Sequence, residues 1–253
     1  MLRLVRRSTL QVLVATRCVW HVVLLLGVFA LPVSAFAFAD TMAQRVLACT
    51  GCHGQDGRAE GDVFFPRIAG KPAGYLFNQL RNFRDGRRSY ALMGNLLSLL
   101  DDNYLQEIAD HFAGLQLPYP PPSAPALGQD AADKADRLVH QGDPTRKIPA
   151  CTTCHGAALT GVQPHVPGLL GLPRDYVNAQ LGAWKTGQRR AQAPDCMAHV
   201  ARVLKSDEVS ALGAWLSAQP LPPQPRAVAR APAAAPGERP ACGSAPELGG
   251  VAP

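Results

Sequence analysis

The stretch Cys49-Thr50-Gly51-Cys52-His53, followed by Gly54, returns as Cys151-Thr152-Thr153-Cys154-His155, followed by Gly156. Cys-x-x-Cys-His is the signature of covalent c-type haem attachment. Two thiols three positions apart on a forming helical turn can add to the two vinyl groups of one porphyrin, and the adjacent histidine then offers its imidazole to the iron. Other uses of paired cysteines fit less well. Zinc needs a matched second pair or two spaced histidines, and no such spacing lies near either motif. A thioredoxin-like dithiol needs a surrounding βαβ pattern, and a structural disulfide within the motif leaves the histidine unexplained. The chain is therefore expected to carry two covalently bound haem c groups, on Cys49 and Cys52 and on Cys151 and Cys154, with His53 and His155 as axial ligands.

More than the haem motifs is repeated. Pro66-Arg67-Ile68-Ala69-Gly70-Lys71-Pro72 matches Pro167-Gly168-Leu169-Leu170-Gly171-Leu172-Pro173 at an offset of 101. At that same offset Tyr75, Gln79, Leu80, Phe83 and Gly86 correspond to Tyr176, Gln180, Leu181, Trp184 and Gly187, the mark of a duplicated unit. The apolar members fall on one face at a spacing of about 3.6 residues, and Pro72 and Pro173 suit a helix start. Each unit closes with a second amphipathic segment. Tyr104, Leu105, Ile108 and Phe112 follow Asp101-Asp102, and Val209, Leu212, Trp215 and Leu216 follow Ser206-Asp207-Glu208. Acidic residues and a serine at those starts fit capping and the helix dipole. No run of alternating β-branched residues appears, so the fold reads as all-α: two tandem small domains, 40–116 and 136–220. The linker, 117–135, is stiffened by Pro118, Pro120, Pro121, Pro122 and Pro125. Such thin cores need the bulk of a porphyrin. The tail, 221–253, is Pro/Ala-rich and reads as poorly ordered except where Cys242 pins it.

Residues 1–39 have the layout of a secretory signal, with Arg3, Arg6, Arg7 and Arg17 ahead of an apolar run and small residues up to Ala39. Cleavage and a periplasmic location are expected. The alternative is an uncleaved anchor, because Val19 to Ala39 is long enough to span a bilayer. The formal charge of +6 owes four positive charges to that segment, and haem propionates lower it further. Nothing in the charge therefore argues for nucleic acid or an anionic membrane surface. Membrane contact is expected only through partners or such an anchor. Once Cys18 and the four motif cysteines are assigned, Cys196 and Cys242 remain, and in an exported protein they invite a disulfide.

Function turns on the ligand opposite each histidine. A methionine or second histidine closes the site for electron transfer, whereas an open position admits chemistry on a small molecule. Met93 lies 40 residues after His53 and Met197 lies 42 after His155. Each precedes a leucine, Leu100 or Leu204, by seven positions. A methionine is more often a core gap-filler, but matching places in a duplicated unit make these two the expected axial pair. Met42 has no counterpart.

On these residues the chain resembles the dihaem cytochrome c4 family, two class I cytochrome c domains joined by a linker, over roughly residues 40 to 220. The resemblance rests on both CxxCHG motifs, the Pro-x-Ile/Leu-x-Gly stretches and the Tyr-x-x-x-Gln-Leu helices ending in Gly86-Arg87-Arg88 and Gly187-Gln188-Arg189. The Met-to-Leu spacing completes it. It implies a periplasmic carrier passing electrons from a quinol-oxidising complex or dehydrogenase to a terminal oxidase. It also implies that the carbonyls of Pro66 and Pro167 accept the Nδ1 protons of His53 and His155. Arg88 and Arg189 are candidates for neutralising propionates, with solvation at a helix end as the ordinary reading. His111, His140, His165 and His199 read as surface or packing residues.

The competing reading is a dihaem enzyme or dehydrogenase subunit, of peroxidase or thiosulfate-oxidising type, with one open or thiolate-ligated haem. Cys196, beside Met197, is the residue that keeps it open. Against it, no cluster of acid, base or cationic groups marks a substrate site in the sequence, and no catalytic residue is assigned.

Overall fold

The computed structural model describes residues 40–59, 65–122, 127–235 and 237–249; the signal segment lies outside them. The chain is mostly helical. In the first half a short helix α1 (Met42–Arg45) leads into α2 (Leu47–His53), which carries the first motif. A one-turn 3₁₀ segment, Gln55–Gly57, follows. Gly57 lies at φ +72°, and a Cβ there would sit 2.5 Å from Ile68 and 3.0 Å from Phe112. Only glycine lets this turn press onto the core. Then come α3 (Ala73–Arg84), α4 (Ala91–Leu97) and α5 (Asp102–Gly114). Asp101 caps α5, its carboxylate accepting from the Tyr104 N–H at 2.8 Å. Helices α3 and α5 pack around Leu76, Ile108, Ala109 and Phe112, with Val46 beneath. Met42 packs against this core.

The linker is held rather than free. Arg67, 3% exposed, donates to the carbonyls of Leu117 at 2.6 Å and Pro118 at 2.9 Å, and its guanidinium lies 3.9 Å from the Tyr119 ring. Carbonyls in a proline-rich stretch, without helical partners, are ready acceptors for a guanidinium fork.

The second half begins earlier than the linker composition suggests. Helix α6 (Gln129–His140) starts inside the stretch expected to be linker and buries Ala135, Leu138 and Val139. The prolines end by residue 125, and once they end the Ala- and Asp-rich run is free to be helical. Helix α7 (Cys151–His155) carries the second motif. A hairpin of two residues a side, β1 (Gly161–Val162) and β2 (Val166–Pro167), is the one pair of strands among the described residues. Helices α8 (Arg174–Thr186), α9 (Cys196–Val203) and α10 (Ser206–Ala218) complete the unit. Its core gathers Tyr176, Val177, Leu181 and Trp184 of α8 with Leu212 and Leu216 of α10 and Leu138 and Val139 of α6. Pro72 and Pro173 sit one residue ahead of their helices, and Ser206 is the first residue of α10 rather than its cap. Glu208 does the capping, accepting from the Lys205 N–H at 2.8 Å. The same carboxylate, 2% exposed, receives both terminal nitrogens of Arg146 at 2.9 Å.

The tail departs from expectation most. Instead of being loose beyond Pro220 it folds back over the second unit. Val228 exchanges backbone hydrogen bonds with Gly161 and Gln163. Ala245 and Leu248 are buried with Val162 and Val166, and Cys242 forms a disulfide with Cys196. A cross-link between residues 46 apart removes on the order of 4 kcal/mol of unfolded-chain entropy in the chain-entropy account. That offsets the ordering of a segment with few apolar side chains.

Candidate functional site

Each motif is built alike. The helix places both cysteines on one turn and ends at the histidine, where Gly54 (φ 75°) or Gly156 (φ 84°) turns the chain away. His53 and His155 are 8% and 7% exposed. His53 Nδ1 lies 2.8 Å from the Pro66 carbonyl oxygen, and His155 Nδ1 lies 2.8 Å from that of Pro167. A carbonyl only accepts, so Nδ1 carries the proton and Nε2 keeps a free lone pair. Burial pushes both imidazoles below their ordinary pKa, which holds them neutral. Burial also pushes the Cys151 thiol up to about 12. A thiol so far from ionising is a poor redox dithiol.

In the second unit the structure brings the expected residues to one cavity. Cys151, Cys154, His155 and Met197 all line it, among apolar side chains that include Leu169, Leu181, Val200 and Leu212. In the first unit Met93 is half-buried on α4, which packs on α3.

Sequence reasoning offered Arg189 as a candidate for propionate charge but missed Lys71 and Trp184, which line the same cavity. Lys71 and Arg189 line it, 8% and 6% exposed, and no carboxylate among the described residues pairs with either. Burial pushes the Lys71 ammonium down to about 8. Burial, and then the nearby positive charge of Arg88, lowers Arg189. The Trp184 indole N–H, also at the cavity, is buried without a hydrogen-bond partner. Two uncompensated cations and an orphan donor at one end of an apolar slot call for an anionic group. A haem fits: a flat apolar macrocycle with two carboxylates at one edge, reactive vinyls for two thiols, and an iron for imidazole and thioether.

The arginines after α3 and α8 are not solvated ends. Arg88 donates to Gln79 Oε1 at 2.9 Å and to Gln180 Oε1 at 2.6 Å. Arg189 donates to Gln180 Oε1 at 2.8 Å and to Gln79 Oε1 at 3.0 Å. Backbone bonds from Ser89 N to Gln188 O and from Arg190 N to Arg87 O, each 2.7 Å, close the junction. All four side chains obey the 101-residue offset, which was the available signal. Lys71 gave none, because its repeat partner is Leu172.

No family model matches the chain. It is 36% identical over 183 residues to the thiosulfate dehydrogenase electron acceptor of Thiomonas intermedia, covering 72% of this chain and 83% of that one. Among solved structures it resembles reduced recombinant cytochrome c4 from Pseudomonas stutzeri, with a TM-score of 0.57 and 27% identity over 69% of this chain and 95% of that one. It also resembles thiosulfate dehydrogenase (TsdBA) from Marichromatium purpuratum, with a TM-score of 0.61 and 32% identity, covering 68% of this chain. The chain spans only 36% of that larger protein. Two helical units with paired attachment motifs define the class as a dihaem electron-transfer cytochrome of the class I c type. Within that class, the chain is cytochrome c4-like and belongs with the thiosulfate dehydrogenase electron acceptors of Thiomonas intermedia and Stutzerimonas stutzeri, each 36% identical to it.

Proposed function

We propose that the protein is a periplasmic carrier that takes single electrons from a thiosulfate-oxidising dehydrogenase and passes them toward a terminal oxidase. Haem, when bound, supplies the one-electron Fe(III)/Fe(II) couple. Cys49 and Cys52 would hold one group, with His53 and Met93 offering nitrogen and sulfur to its iron. Cys151 and Cys154 would hold the other, with His155 and Met197 in the same roles. Pro66 and Pro167 orient the imidazoles and raise their basicity through the Nδ1 hydrogen bonds. Lys71, Arg189 and the Trp184 N–H receive propionate charge at the second site.

The observation that carries the reading is the convergence of Cys151, Cys154, His155 and Met197 on one apolar cavity with a cationic end. Cys196 is tied up in a disulfide, which favours methionine over thiolate at the second iron. The choice of donor rests on the 36% identical relative named for accepting electrons from thiosulfate dehydrogenase. Among the described residues no helix is long and apolar enough to cross a membrane.

The test is reduction of the oxidised holoprotein by thiosulfate in the presence of catalytic amounts of a purified thiosulfate dehydrogenase. Full reduction of both haems that requires the dehydrogenase is expected. Failure there, alongside rapid reduction by a quinol-oxidising complex and its quinol, would reassign the donor.

A further inference from the structure

The duplication supplies an internal comparison between the surroundings of the two attachment sites, and they differ. In the first unit Leu47, two residues before Cys49, is 64% exposed. Leu92, immediately before Met93, is also 64% exposed, and Leu96 and Leu99 follow at 43% and 94%. Cys52 is exposed. In the second unit the residue immediately before the methionine is Cys196, and it is bonded to Cys242 of the tail. Cys154 is half-buried, packed in the cluster formed by Ala245 and Leu248.

The tail is fastened at several independent points around that second site. Arg239 Nε donates to the Thr153 carbonyl, between the two motif cysteines, at 3.0 Å. Thr153 in turn donates to Glu238 at 3.4 Å. Glu247 meets His165 at 3.0 Å, and Gly243 N donates to Pro194 O at 2.9 Å. Pro240, Cys242, Ser244, Ala245 and Leu248 form a wall of the same cavity that His155 and Met197 line. Asn78 of the first unit donates to the Ser244 carbonyl at 3.0 Å, so the tail is gripped by both halves.

We infer that the C-terminal segment is a built-in cover over the haem edge of the second domain, leaving the first domain as the port where electrons enter and leave the molecule. The second haem then exchanges electrons with the first, across the junction of Arg88 and Arg189, rather than directly with outside proteins. This rests on the assignment of one haem to each motif.

The experiment uses the full holoprotein, a Cys242→Ser variant, and a chain ending at Gln219. Intact mass first counts haems. Haem-methyl proton NMR lines are then followed as a neutral paramagnetic gadolinium chelate is added. Two haems are expected in all three proteins. In the full chain one set of methyl lines broadens and the other stays sharp. In the truncated chain the sharp set broadens at least fivefold more than before, with Cys242→Ser in between. Equal broadening of both sets in the full chain, or a second set that stays sharp once the tail is released, would overturn the cover while leaving the haem assignment intact. A mass equal to one haem per chain would overturn the assignment and the cover together. Should the truncated chain fail to fold, the comparison of Cys242→Ser with the full chain decides by the same criteria.

Discussion

Arg88 and Arg189 share the same two acceptors: each guanidinium bonds both Gln79 Oε1 and Gln180 Oε1, at 2.6 to 3.0 Å. Two like charges are thereby held face to face across the domain junction, each over an aromatic ring, Phe83 at 4.4 Å for Arg88 and Trp184 at 3.8 Å for Arg189. Neutral amides can bridge two cations but cannot neutralise them. A bound anionic group would supply the charge that the amides cannot.

Removal of one of these charges has a direct consequence. A buried cation disfavours the oxidised, more positive iron, so Arg189→Gln is expected to lower the potential of the second haem. The shift should be on the order of 50 mV, equivalent to about 1.2 kcal/mol for a one-electron couple. A spectroscopic redox titration resolving both haems checks this. Unchanged potentials would mean that Arg189 serves the junction alone.

Met197→Ala should leave attachment through Cys151 and Cys154 intact while removing the thioether. The second haem's potential should fall by on the order of 100 mV or more, and the reduced protein should bind carbon monoxide at one haem per chain. An unaltered spectrum and potential would remove Met197 from the coordination sphere.

The Arg146 and Glu208 pair makes a prediction about acid. For Glu208, burial alone would raise the pKa, but the hydrogen bonds from Arg146 and Lys205 N–H outweigh it and the net shift is downward. Asp143 is lowered to about 2 by hydrogen bonds from Thr145 and then Arg146. Groups with depressed pKa bind fewer protons folded than unfolded. Their stabilisation is complete above the ordinary carboxylate range near pH 4 and is lost as pH falls toward about 2. Arg146→Ala should cost about 1 to 3 kcal/mol near neutrality, because it leaves the Glu208 carboxylate with only the Lys205 N–H and the Lys134 ammonium at 3.7 Å. It should also flatten the fall of Tm between pH 5 and 2.5 relative to the parent, as read by calorimetry.

Gly74 tests how closely the halves meet. A Cβ there would lie 2.4 Å from the His165 ring and 2.9 Å from the Pro164 carbonyl oxygen, beside the Tyr75 N to Pro164 O hydrogen bond. Gly74→Ala should therefore destabilise by about 1 to 3 kcal/mol through overpacking. The loss should register as a lower midpoint in chemical denaturation, despite alanine's better helix propensity.

What could be read from the chain alone followed from its strongest local constraints. The motif chemistry fixes Cys49, Cys52, Cys151 and Cys154, and the 101-residue offset carries Tyr75, Gln79 and Arg88 onto Tyr176, Gln180 and Arg189. The features that escaped depend on contacts far apart in sequence. Lys71 acquires its burial from a cavity in the other half, which no local pattern records. The tail has the composition of a linker, yet it is held by backbone pairing at Val228, by a disulfide and by a few well-placed apolar residues such as Leu248. The early start of helix α6 was hidden by the prolines upstream, whose influence stops sooner than a composition window suggests.

The central claim is a pair of closed, methionine-ligated haems in one electron carrier. Its most direct test is the optical spectrum of the purified holoprotein, oxidised and reduced, with carbon monoxide added to the reduced form. The expected result is the weak ferric band of methionine-sulfur ligation at an intensity corresponding to two haems per chain, and no change on adding carbon monoxide. A high-spin haem, or one that binds carbon monoxide, would contradict it and make an open, substrate-binding site the better description.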